Sequence, residues 1–266
     1  MIPIHTIDTL EACWRSLGDL GASLTEAEWK TATDLPGWSA QDNLSHLIGI
    51  ERMMQGLAAT EHRAPSTDYI RNPIGQMNEN EVDARRSLAG ADVLAEWNDL
   101  IEIRVQTLRT ADDAYFAQPA ITPTGPGTLA DFLDVRILDC WLHEQDMRRA
   151  TGHAGNLSGA AAEHTVDRLV RTIPIVVGKR AATPEGKAVA IAITGGVERS
   201  LICEVQNGRA AIVSAVSTPP VATIGLSTEA FIVLAAGRRT SDRVSATVAG
   251  DQELGQLVLS KFNMMI

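Results

Sequence analysis

Apolar positions recur at helical spacing through the first 150 residues and then give way to short β-rich runs. Leu10, Trp14 and Leu17 share one face of a helix expected over residues 7–20, which Gly21 follows. Asp34-Leu35-Pro36-Gly37-Trp38-Ser39 announces a second helix, with Ser39 as its N-cap. Leu44, Leu47, Ile48 and Met54 carry that helix to about Leu57, and Pro65 and Pro73 mark a loop behind it. A third helix is expected over 76–88. A fourth starts near Ala91 and presents Leu94, Trp97, Leu100, Ile101, Val105 and Leu108. Residues 119–127 read as a rigid loop rich in Pro and Gly; Thr128 then caps a long helix that ends at Gly152. Long helices joined by loops, with no strand signal between them, predict a four-helix bundle.

The period changes after about residue 185. Runs at 188–193, 201–205 and 210–213 read as strands, separated by turn signals at Gly195-Gly196 and Asn207-Gly208; 221–224 is a fourth, weaker run. Helices are expected at 160–173, stopped by Pro174, at 227–236 and at 252–262. The length of 266 residues exceeds the usual size of a single core. The expected fold class is therefore α plus α+β: a four-helix bundle over 1–155, then a small α+β domain over 156–266.

Composition narrows the function classes. The net charge is −10, with 33 Asp and Glu against 23 Lys and Arg, and the basic residues form no more than isolated pairs such as Arg148-Arg149. Such a chain is repelled by a phosphate backbone, so nucleic-acid binding is not expected. No apolar run reaches the ~18 residues of a membrane span. The start lacks the basic-then-apolar plan of a signal peptide. Cys13, Cys140 and Cys203 are odd in number and far apart, which disfavours both a disulfide framework and a cysteine-rich zinc site. A cytoplasmic location is expected. All five Trp lie before residue 150, and of these Trp38 and Trp141 could line a pocket, although Trp is more often core.

The chemistry lies in the long helix. Arg136, Asp139, His143 and Asp146 are spaced three, four and three apart, so they form one polar stripe on a helix whose other positions are mostly apolar: Leu133, Val135, Ile137, Leu138, Cys140, Trp141 and Leu142. A helix of that pattern is buried, and buried charges need partners or a metal. Asp139 and His143, at i and i+4, can bind one ion, and imidazole with carboxylate suits zinc, nickel or iron. A third ligand must come from another helix. His46, set among Leu44, Leu47 and Ile48, is the strongest candidate, with Arg136 and Asp146 orienting the ligands. Glu144 points about 100° away round the helix. The pattern alone also admits a structural histidine and a plain Asp139–His143 ion pair. His5, His62, His153 and His164 read as solvated, and Cys140 as a small buried hydrophobe.

Asp34-Leu35-Pro36-Gly37-Trp38-Ser39, His46, Asn78-Glu79 and Arg136-x-x-Asp139-x-x-x-His143-Glu144-Gln145-Asp146-x-Arg148-Arg149-Ala150-x-Gly152 occur in an order that resembles the mycothiol-dependent maleylpyruvate isomerase family. The resemblance is specific from about Leu24 to Gly152. It is weaker beyond, at Ala230-Phe231, Gly237-Arg238 and Gly250-Asp251. It implies a DinB-like metal-binding bundle followed by a sterol-carrier-like α+β domain. It implies zinc or another divalent metal on His46, Asp139 and His143, although the isomerase has Glu where this chain has Asp139. It further implies mycothiol or a similar thiol as cosubstrate and a small electrophilic acid as substrate. Arg238 is the candidate catalytic residue for holding a carboxylate of substrate or thiol, a surface Arg at a helix C-terminus being the other reading.

The function expected is that of an isomerase or thiol S-transferase, as a monomer or homodimer. The alternatives are a metal-dependent hydrolase or amidase of a thiol conjugate, and a non-catalytic small-ligand-binding module. Neither a nucleotide-binding G-K-[ST] motif nor a Gly-x-Ser-x-Gly nucleophile motif is present.

Overall fold

A computed structural model describes residues 1–123, 125–216 and 218–264, in two compact units, Met1–Gly155 and Asn156–Ile266. The first unit contains α1 (Ile4–Ser23), α2 (Glu26–Trp29), α3 (Ala40–Met54), α4 (Pro73–Asp83), α5 (Gly90–Thr110) and α6 (Asp113–Phe116). It continues through a hairpin, β1 (Pro119–Thr122) and β2 (Gly125–Thr128), into α7 (Leu129–Thr151). Helices α1 and α3 each pack against both α5 and α7, so these four close the expected bundle, and α4 lies on α3. Its core is built from Leu10, Trp14, Leu17, Leu44, Leu47, Ile48, Trp97, Ile101, Leu138 and Trp141, all essentially buried.

Local signals account for the helix ends. Ser39 caps α3 and Thr128 caps α7, each in a capping box with the Asp three residues on. Gly152, at φ 75°, ends α7 in the left-handed conformation. Three expectations are corrected. The third helix runs from Pro73 to Asp83 rather than 76–88, because Asn72 accepts from the Gly75 amide and Pro73 fills the first turn. The second stops at Met54, ahead of Gly56 at φ 75°. Within the stretch 119–127 read as a loop, Pro119–Thr122 pairs with Gly125–Thr128 as the β1–β2 hairpin.

The second unit holds α8 (Ala160–Val170), a π-helical turn at Ile175–Arg180, and five strands: β3 (Ala188–Thr194), β4 (Arg199–Gln206), β5 (Arg209–Ile212), β6 (Ala222–Ser227) and β7 (Ala246–Gly250). The helices α9 (Thr228–Ala235) and α10 (Gln252–Ser260) pack on the sheet. Its order is β5-β4-β3-β6-β7, with β3 parallel to β6 and the other pairs antiparallel. Asn207 and Gly208, both at positive φ, make the tight turn between β4 and β5 that Asn-Gly announces. The chain is thus a helical unit followed by a sheet-containing unit, the fold class expected; β7 is a strand the sequence pattern missed. No helix among the described residues is long and apolar enough to cross a membrane.

Candidate metal centre

Helices α3 and α7 pack side by side, and each turns one polar face toward the other. His46 comes from α3, and Asp139 and His143 come from successive turns of α7. One ligand atom from each can be chosen so that all three lie within 4.8 Å of one another. His46 Nε2 stands 3.5 Å from Asp139 Oδ2, and His143 Nε2 stands 3.5 Å from Asp139 Oδ1. Those gaps are too long for good N–H···O bonds. Each gap, to a different Asp139 oxygen, is close to the roughly 3.3–3.4 Å that separates two ligands held about 2.0–2.1 Å from one tetrahedral ion, and the three-atom set is somewhat wider. His46 Nδ1 is buried and has no hydrogen-bond partner among the described residues. The imidazoles are buried, whereas the Asp139 side chain is 25 % exposed, so the cluster is open to solvent on the carboxylate side. Donor set, spacing and access all fit a divalent metal.

The electrostatics hold His46 and Asp139 in their metal-binding forms. Burial lowers the pKa of His46, against the pull of Asp139, and favours the neutral imidazole. For Asp139 burial acts upward, but the Arg136 guanidinium and the two histidines outweigh it and hold the carboxyl well below its usual range. Arg136 is almost fully buried; its Nη1 donates to Asp139 Oδ2 and its Nε to Glu51 Oε1 at 2.9 Å. Glu51, fully buried, accepts Arg104 Nε at 3.0 Å on its other oxygen. A chain of alternating charge, Arg104–Glu51–Arg136–Asp139, thus runs through the core to the cluster.

The predicted orienting groups are partly as expected. Arg136 does grip Asp139. Asp146 Oδ2 lies 3.7 Å from His143 Nδ1, while its other oxygen takes Arg149. The close partner of His143 Nδ1 is Asn43 Oδ1 at 2.6 Å, a residue the sequence reading did not single out. Asn43 lies three residues before His46, hence on the same face of α3, but spacing alone does not pair it with His143. Glu51, a lone acid closing the apolar run of α3, carried the same signal as the stripe on α7.

Trp38 borders the cluster. Trp38 N donates to Leu35 O at 3.1 Å across a turn with Pro36 second and Gly37, at φ 77°, third, the residues a type II turn requires. The turn brings the Trp38 ring to 5.3 Å from His46 and 5.9 Å from His143, centroid to centroid. Its Nε1 donates to Glu79 Oε2 at 2.9 Å; Glu79 is buried and also accepts from Tyr69 and Arg86. Trp141 belongs to the core. Glu144 turns away to Ser16 and Arg148, and burial pushes the Cys140 thiol up. Arg238 lies in the second unit just past α9, half-buried, with Nη1 donating to Ala236 O at 3.1 Å. All three cysteines are free and buried.

Fold and cluster define a class: a helical bundle with a candidate single-metal centre between two adjacent helices, followed by a sheet-containing unit. Residues 10–148, just over half of the chain, match the family described as mycothiol maleylpyruvate isomerase N-terminal domain, and the chain belongs to that family. Two solved structures are similar in fold, the mycothiol-dependent maleylpyruvate isomerase and a histidine-to-alanine variant of it. They share 15 % and 14 % identity with this chain; each match has a TM-score of 0.56 and covers 91 % of both chains. No curated protein matches the chain.

Proposed function

We propose that this chain is a metal- and thiol-dependent enzyme that isomerises a small electrophilic acid or transfers a thiol to it. The observation that carries this reading is the grouping of His46, Asp139 and His143, one ligand atom of each within 4.8 Å of the others. His46, Asp139 and His143 would hold zinc or another divalent cation, which would lower the pKa of a thiol and so provide a thiolate at neutral pH. The family points to mycothiol as that thiol. Asn43 and Arg136 keep His143 and Asp139 aimed, and Trp38 shields the two imidazoles on one side. The thiolate forms an S–C bond at an activated double bond; rotation and loss of the same thiol restore the double bond in the other geometry. Where loss fails, protonation leaves a thiol adduct. Arg238 is assigned the carboxylate of substrate or thiol, which guanidinium can bind through two parallel hydrogen bonds. The protein works in the cytoplasm, as a monomer or homodimer.

The test pairs elemental analysis of untagged protein with turnover assays run with and without mycothiol. About one zinc per chain is expected, with metal and thiol-dependent turnover both lost in His46→Ala and in His143→Ala. Full activity in either variant sinks the ligand assignment. Hydrolysis of a thiol conjugate without free thiol would move the protein to the hydrolase reading. Ligand binding with no turnover would make it a binding module.

A further inference from the structure

The end of the substrate that does not react is open to a reading from the wall beside His46. A recess of about 70 Å³ adjoins this histidine in the helical unit. Gly49, Ile50, Met53, Leu57, Ala59 and Met77 line it, and Met53, Leu57 and Met77 are each more than 40 % exposed. Exposed large apolar side chains grouped at the mouth of a site mark a surface that binds apolar matter. The charges around the recess point the same way. Among the described residues that line it, Arg52 is the one cation. Its Nη1 faces Glu96 at 3.5 Å and its Nη2 donates to Ala58 O at 3.4 Å. The acid in the wall is Glu81, held by the Thr60 amide at 2.8 Å and by Arg85 at 3.0 Å. An anionic group entering here would meet the Glu81 carboxylate, and would have to draw Arg52 away from Glu96 and Ala58 O, which hold it only through long contacts.

We infer that the electrophile carries a short alkyl group, rather than a second carboxylate, at the end that lies in this recess beside His46. Size sets the scale. The recess has about half the volume of the roughly 150 Å³ cavity that admits benzene, so a branched group of three or four carbons suits it better than an aromatic ring. The inference rests on the enzyme reading above for calling the ligand a substrate, whereas the apolar preference itself rests on the recess.

Binding of unreactive analogues separates the two. Saturated 4-oxo acids bearing either an isobutyl or a 2-carboxyethyl group at C4 are titrated by calorimetry into the protein as purified. Burial of the extra alkyl carbons is expected to give the isobutyl acid about tenfold tighter binding. Met77→Arg, placed on the exposed rim, is expected to abolish or reverse that preference. Equal affinities, tighter binding of the carboxyethyl acid, or binding of neither overturns the inference. The unsaturated counterparts are then assayed with mycothiol. Alkyl preference without thiol-dependent turnover leaves the recess as inferred and removes the enzyme reading; turnover with a carboxyethyl preference does the reverse.

Discussion

His143 Nδ1 lies 2.6 Å from Asn43 Oδ1, and the surroundings of Asn43 decide what that contact means. The Asn43 amide nitrogen donates to Ser39 O at 2.8 Å and to Thr33 Oγ1 at 3.3 Å, while the Thr33 hydroxyl itself donates to Trp38 O. The amide oxygen is therefore the atom turned to the imidazole, and His143 donates from Nδ1. In the neutral ring this leaves Nε2, the atom facing Asp139, with the lone pair that a metal needs. Asn43→Ala removes that constraint and is expected to weaken zinc affinity by about 10- to 100-fold. Competition with a chromogenic chelator measures it; an unchanged affinity would show that the ring is fixed by other means.

Glu51 stabilises the fold as much as the site. Both of its oxygens are spent on buried guanidiniums, Arg104 at 3.0 Å and Arg136 at 2.9 Å. Removing the shared anion leaves two buried cations without their common partner. Breaking a buried pair in this way costs about 3–5 kcal/mol, so Glu51→Ala is expected to lose that much in urea denaturation of the metal-free protein. A loss below about 1 kcal/mol would mean that water reaches the network.

How much of this was legible follows from which forces act locally. Ser39 and Thr128 were readable as caps because a capping box is complete within four residues. The Arg136–Asp139–His143 stripe was readable because helix geometry fixes a face from spacing alone. His46 could be named because a histidine inside an apolar run of α3 needs a buried partner. Asn43 was passed over since an amide on a helix has no charge to betray it, and only the packing of α3 on α7 gives it His143. The β1–β2 hairpin contains Pro119, Gly125, Pro126 and Gly127 and no alternation, so its strands exist through mutual pairing rather than propensity. The strand β7, Ala246–Gly250, is likewise made by the edge of β6 that it covers.

Acid should loosen the link between α2 and the end of α7. Glu28 accepts from the Thr25 side chain and backbone, each at 2.7 Å, and lies 3.0 Å from His153 Nε2. The Thr25 hydrogen bonds, then His153, hold its carboxyl at about 2, below the 4.5 of an unperturbed Glu. Between those values the unfolded chain binds the proton and the folded one does not. The stability these contacts supply is whole above pH 4.5 and drains away as pH falls toward 2. Glu28→Gln should make the acid side of the stability–pH curve shallower in that window. Superimposable curves would locate the acid sensitivity in other carboxylates.

Trp38 offers an optical reading of the cluster without any assay of turnover. Its ring lies within 6 Å of both imidazoles, and Glu79 pins the indole there at 2.9 Å. The other four tryptophans, Trp14, Trp29, Trp97 and Trp141, are buried at 2 % exposure or less. Copper(II) is a strong quencher at short range and binds imidazole more tightly than zinc does. One equivalent of copper is therefore expected to quench most of the Trp38 emission, and Trp38→Phe should remove the larger part of the change at unchanged stoichiometry. Glu79→Gln keeps the indole near the site but weakens its anchor, so the quenching should survive while acrylamide access to Trp38 rises. Copper quenching of equal size in wild type and Trp38→Phe would mean that the ion binds elsewhere, and the assignment of His46, Asp139 and His143 as its ligands would fall with it.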